Sequence, residues 1–176
     1  IKKKKLINFL DKNIEKILKL KTPFLEKAIF QSCIIKKKIV EKDENEKNLR
    51  QLLNFGHTFA HAFEGTNNYS KKLNHGEAVL LGMFCASNFA KQKKIINKSE
   101  FNKIIAHYKK LKFSFKIEKY YSKKNINKIL SFMKKDKKNN NNKINLVLLK
   151  KIGQGKYNCE FNISEIKKFF IKELIN

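Results

Sequence analysis

The chain has 176 residues, 41% of them hydrophobic and 11% aromatic, enough to bury roughly 70% of the surface its unfolded form exposes, which excludes intrinsic disorder. Six glycines and one proline exclude a collagen-like or linker-rich design and leave helix as the dominant element. A formal net charge of +26 raises the question of nucleic acid, but the lysines are spread over every segment among abundant Asn and Ile, without arginine clusters or interleaved aromatics, so no specific nucleic-acid partner is expected.

Leu6, Phe9, Leu10, Ile14, Ile17 and Leu18 recur at helical spacing and predict an amphipathic helix ending near Leu20. Thr22 and Pro23 read as the N-cap and first turn of a second helix through about Val40. The acidic stretch from Glu41 to Glu46 then opens a third helix running to about Glu64, and the segment from Gly65 to Asn74 is a loop. A fourth helix starts near His75 and carries an apolar run to about Ala90, about half a membrane span, so no membrane partner is expected. Ser99 caps a helix through Lys110 and Ser122 another through about Lys135. Lys137 to Lys143 is a polar loop, Ile144–Leu149 and Tyr157–Phe161 form a hairpin across Gly153 and Gly155, and Ser164–Ile175 closes the chain as a helix. The expected fold is mostly α, a multi-helix unit with one short β-hairpin near the C-terminus, forming a single domain over residues 1–176. Cys33, Cys85 and Cys159 show no paired spacing, which fits a reducing, cytoplasmic location and argues against a thiolate zinc cluster.

Chemistry concentrates on the third helix. At about 100° per residue, Glu46, Arg50, Asn54, His57 and His61 fall within a sector of about 80°, while Leu49, Leu52, Leu53, Phe59 and Phe63 lie on the apolar side. In a lysine-coated protein this stripe is expected to face a cleft. Arg50 is the one arginine among 41 basic residues, and it marks a place where a planar five-donor fork serves and a point charge does not. Any one of these residues could belong to an ordinary surface network, but His57, His61 and His75 share one short window, whereas His107 stands apart on a lysine-rich helix as a structural or exposed residue. Neutral imidazole is a common zinc ligand, and His57 and His75 are candidate metal ligands. His61 either completes the set or stays free for proton transfer. Gly56 and Gly76, beside the candidate ligands, allow a substrate or neighbouring segment to come close.

As a string, Arg50-Gln-Leu-Leu-Asn54-Phe-Gly-His57-Thr-Phe-Ala-His61-Ala-Phe-Glu64, followed by His75-Gly-Glu-Ala-Val79 and Gly82-Met83, closely resembles the 3-dehydroquinate synthases. Lys36, the acidic Asp43-Glu44-Asn45-Glu46 and the later Asp136-Lys137-Lys138 fit that family in order and approximate spacing. The resemblance implies the family's helical C-terminal domain, with an N-terminal NAD-binding domain not present in this chain. It implies that His57 and His75 bind zinc or cobalt, that Glu46 and His61 transfer protons, and that Lys36, Arg50 and Asn54 bind substrate beside the metal-bound His57 and His75. Lys137 or Lys138 is implied as a phosphate or carboxylate contact, with the choice open. The family's third zinc ligand, a glutamate just ahead of the first helix, and its NAD-binding glycines fall outside this sequence, and Ala60 stands where a glycine is common.

That family converts a seven-carbon keto-acid sugar phosphate, 3-deoxy-D-arabino-heptulosonate 7-phosphate, into 3-dehydroquinate and phosphate in the shikimate route to aromatic amino acids. NAD carries the hydride in that reaction. The resemblance further implies a homodimer at full length and no turnover from these residues alone. Other sugar-phosphate cyclases and metal-dependent polyol dehydrogenases share related architecture. Glu46, Arg50, Asn54 and the Asp136-Lys137-Lys138 segment favour the dehydroquinate reaction, because a simple polyol offers them no anion to bind. The non-enzyme alternative is a basic helical nucleic-acid-binding module.

Overall fold

The computed structural model describes residues 4–70, 72–111, 113–135 and 143–174. Seven α-helices are described among them: α1 (Lys4–Leu18), α2 (Phe24–Val40), α3 (His57–Thr66), α4 (His75–Gln92), α5 (Lys98–Lys109), α6 (Ile126–Lys135) and α7 (Ile163–Glu173). A 3-10 helix, Leu49–Asn54, precedes α3, and the antiparallel strands β1 (Lys143–Lys151) and β2 (Gln154–Asn162) form a two-stranded sheet ahead of α7. The expected mostly helical architecture with a late hairpin is what the structure shows. No helix among the described residues is long and apolar enough to cross a membrane.

The core forms where α3 packs on α4 and α6, α4 on β1, and α6 on α7. Phe59 and Phe63 of α3, Leu81 and Phe89 of α4, Met133 of α6 and Phe169 and Phe170 of α7 are buried there. The Phe59 ring meets Phe169 and Phe170 edge-on, each at 5.9 Å between centroids, an arrangement favoured by the ring quadrupole. Along β1 the alternation is plain: Ile144, Leu146 and Leu148 point inward and are buried. Helices α1 and α2 pack on each other, and α1 reaches α5 through Asp11, which accepts from Lys110 Nζ at 2.7 Å and lies 3.1 Å from His107 Nδ1. Hydrogen bonds from Lys110 and His107 hold the Asp11 carboxyl below the usual carboxylate range, and the contact joins His107 of α5 to α1.

Three local expectations are corrected. Thr22 does not cap α2: its hydroxyl donates to Glu26 Oε1 at 2.7 Å and Pro23, after a cis peptide bond, occupies the cap position. Asn97, not Ser99, caps α5, because its side-chain oxygen reaches the Glu100 amide at 2.8 Å and so takes one of the helix's unpaired donors. The third correction bears on function. Residues 46–64 are not one helix, since a loop and the 3-10 helix precede a break at Gly56, whose φ of 83° lies in the left-handed region, and α3 begins only at His57.

Candidate active site

The loop before the 3-10 helix is organised by Asp43. Its carboxylate accepts the backbone N–H groups of Lys47 at 2.9 Å, Asn48 at 2.8 Å and Arg50 at 2.9 Å. These donors, the Arg50 amide foremost, hold the carboxyl below its ordinary range. The chain turns tightly enough there that Glu46 takes a left-handed φ of 55°. Because the folded carboxyl is depressed, its ordering effect is present above the unfolded pKa and is lost as pH falls through the lower folded value. The amides of Lys47, Asn48 and Arg50 are accordingly expected to show hydrogen-exchange protection at neutral pH that disappears in Asp43→Ala and on acidification. Unchanged protection in that variant would contradict the role.

Glu46 stands at the centre of a small polar cluster. Its Oε1 accepts from Asn54 Nδ2 at 2.5 Å and its Oε2 lies 4.0 Å from Arg50 Nε, while Arg50 Nη1 donates to the Glu44 carbonyl at 2.5 Å. Three of the candidate residues are thus joined directly, although the helical stripe that grouped them does not exist. The Arg50 side chain is two thirds shielded and its five-donor fork has hydrogen-bond capacity left over, which suits capture of a carboxylate or phosphate.

Beginning three residues past Asn54, three imidazoles gather. Ring centroids are 5.7 Å apart for His57 and His61, 6.1 Å for His57 and His75, and 6.5 Å for His61 and His75. His57 opens α3 and His75 opens α4, so the docking of those two helix starts sets their separation. That docking depends on glycine: a Cβ on Gly82 would lie 2.2 Å from the Gly56 carbonyl oxygen, so the helix backbones meet without an intervening side chain. Gly76 plays no such part, since only Asn74 Oδ1 at 3.7 Å would be near a Cβ there.

Two imidazoles on one zinc, with N–Zn near 2.0 Å, place their centroids about 5 Å apart, against 6.1 Å for His57 and His75. The donor chemistry fits. His57 Nδ1 lies 3.4 Å from the Phe55 carbonyl and His75 Nδ1 lies 2.9 Å from Glu64 Oε1, which leaves both Nε2 atoms for a metal. Burial, and the proximity of the His61 and His75 rings, push the His57 pKa below the ordinary imidazole value and keep it in the neutral, ligating form. Catalytic zinc usually takes three protein ligands. Among the described residues no set of three or more His, Cys, Asp or Glu is arranged to hold a metal ion, so a complete shell needs a donor beyond them.

Lys36 lies exposed on α2, the helix that packs on the 3-10 helix bearing Arg50 and Asn54. Lys137 and Lys138, with Asp136, lie outside the described residues. Two residues escaped sequence reasoning as individuals, Asp43 and Glu64. Glu64 was detectable: it lies seven residues after His57, two turns along the same face of α3. Asp43 carried only the weaker signal of an acid shortly before a run of amides needing acceptors.

Comparison with known proteins places these observations in a family. The model of the 3-dehydroquinate synthase C-terminal family matches residues 1–139. The 3-dehydroquinate synthase of Pelagibacter ubique is 56% identical over 171 residues, covering 97% of this chain and 46% of that protein. That of Dictyoglomus thermophilum is 41% identical over 149 residues, covering 85% of this chain and 40% of that protein. The chain therefore spans less than half the length of these relatives. Among solved structures, ValA, a 2-epi-5-epi-valiolone synthase from Streptomyces hygroscopicus subsp. jinggangensis with NAD+ and Zn2+ bound, superposes with a TM-score of 0.77 at 18% identity, covering 98% of this chain and 47% of that one. A 2-deoxy-scyllo-inosose synthase complexed with carbaglucose-6-phosphate, NAD+ and Co2+ gives 0.65 at 22% identity, covering 83% and 40%. These two likenesses show a shared fold.

Proposed function

This chain belongs to the 3-dehydroquinate synthase C-terminal family, and from that premise we propose that it is the metal- and substrate-binding part of an enzyme that turns 3-deoxy-D-arabino-heptulosonate 7-phosphate into 3-dehydroquinate and phosphate. The observation that carries the reading is the gathering of His57, His61 and His75 in a segment that begins three residues after Asn54 of the Glu46, Arg50 and Asn54 cluster. In this reading the imidazoles supply a metal-ligating face and the Arg50 cluster one that grips an anionic sugar. Residues 1–176 act as one domain beside an N-terminal NAD-binding domain, in a cytoplasmic homodimer.

In this reading His57 and His75 hold zinc or cobalt through Nε2. Zinc supplies Lewis-acid polarisation of a substrate hydroxyl and NAD reversible hydride transfer. The Arg50 fork binds the substrate carboxylate or phosphate, Asn54 orients a hydroxyl, and Lys36 with Lys137 or Lys138 neutralises anionic oxygens. His61, exposed at the edge of the triad, moves a proton between substrate and solvent. Glu46 accepts or returns a proton while Asn54 and Arg50 hold its two oxygens apart. The test is phosphate release from the heptulosonate phosphate by the complete polypeptide with NAD, with and without chelator. Chelator-sensitive release with a cyclic product supports the proposal, and its absence, or turnover only of other sugar phosphates, overturns it. Residues 1–176 alone are expected to give no turnover.

A further inference from the structure

We infer that Glu64 is a positioning residue for His75, fixing which ring nitrogen faces the metal; the inference rests on the proposed role of His75 as a metal ligand. His75 is the first residue of α4 and its side chain is 62% exposed, so packing alone does little to orient the ring. Glu64, by contrast, is only 13% exposed, lies near the end of α3, and puts Oε1 2.9 Å from His75 Nδ1. A carboxylate can only accept at that distance. The proton of the neutral ring therefore sits on Nδ1, and the Nε2 lone pair is left available to a metal. A bond across two helices to a largely exposed histidine contributes little to folding stability, so packing gives a weak account of why a shielded carboxylate is placed there. Glu64 lies seven residues after His57, two turns along the same face, so one helix carries a ligand and the group that orients its partner. The Phe55 carbonyl, 3.4 Å from His57 Nδ1, serves the other ring in the same way. Metal-ligating histidines are commonly held by such an acceptor behind the ring.

The experiment uses the complete polypeptide, metal-free, and zinc alone as the probe, with Glu64→Ala, Glu64→Gln and His75→Ala compared by competition against a chromophoric chelator. Glu64→Ala is expected to weaken zinc about 10- to 100-fold. Glu64→Gln, which keeps an acceptor oxygen, is expected to restore most of that loss and covers the case in which the alanine variant fails to fold. Nitrogen-15 spectra of metal-free protein read the tautomer directly: His75 carries its proton on Nδ1 in the parent and reverts toward Nε2 in Glu64→Ala. If His75→Ala removes zinc while Glu64→Ala changes neither affinity nor tautomer, the positioning role is overturned and the metal reading stands. If the tautomer reverts as expected but no histidine variant alters zinc binding, the metal reading has failed, and the role in ligation with it.

Discussion

Replacing Gly82 by alanine is expected to cost about 3 kcal/mol of folding stability, the upper end for an overpacked site. The added Cβ would lie 2.2 Å from the Gly56 carbonyl oxygen and 3.0 Å from the Ala60 nitrogen, both backbone atoms that no rotamer change can clear. That carbonyl is also the acceptor of a hydrogen bond in the first turn of α3, from the Ala60 amide at 3.0 Å, so pushing it away loosens the helix start that presents His57. The reciprocal change, Gly56→Ala, meets Met83 N at 2.5 Å and adds the strain of a φ of 83°, worth about 1–2 kcal/mol more. The two variants disturb one contact and should not add. Urea denaturation, with Gly76→Ala as the control, gives the measurement. Gly76 lies in a helix with open space around it, so alanine there should be neutral or stabilise by up to about 1 kcal/mol. Equal midpoints for Gly82→Ala and Gly76→Ala would refute the close-packing account.

How these residues reach one place was only partly legible in the sequence. Periodicity located the helices because their apolar faces repeat every 3.6 residues, and the alternation in Ile144, Leu146 and Leu148 located the hairpin for the same kind of reason. The grouping of Glu46, Arg50 and Asn54 was anticipated through the wrong geometry. A wheel assumes continuous helix, whereas Asp43 takes three backbone donors that a helix would have used differently, and Gly56 at positive φ ends the segment before His57. Side-chain competition for backbone donors acts over four to seven residues here and leaves no periodic trace. The cap of α5 shows the same limit: Asn97 and Ser99 are both competent, and only the register of the Glu100 amide decides between them. Across α3 and α4, the pairing of Glu64 with His75 depends on how two helices dock, which no local pattern encodes.

Substituting His57 or His75 by alanine in the complete polypeptide is expected to reduce zinc from about one ion per chain to below about a tenth, because a three-ligand site that loses an imidazole keeps too few donors to hold the ion. Elemental analysis after gel filtration reads this directly. His61→Ala separates the roles: metal content should remain while turnover falls about 10²- to 10⁴-fold, the usual span for a proton-transfer group. His107→Ala should change neither, since that ring faces Asp11 between α1 and α5. The same series decides between enzyme and nucleic-acid module. A charge of +26 will attract polyanions whatever the protein does, so the informative quantity is the metal content of the histidine variants and not polyanion binding. Counterion release counts the lysines that meet phosphates, so the slope should be the same in His57→Ala and His75→Ala as in the parent under either reading. Loss of metal in both variants assigns the histidines to metal chemistry. Retention of a full zinc complement by both variants would remove the basis for a catalytic pocket at this position.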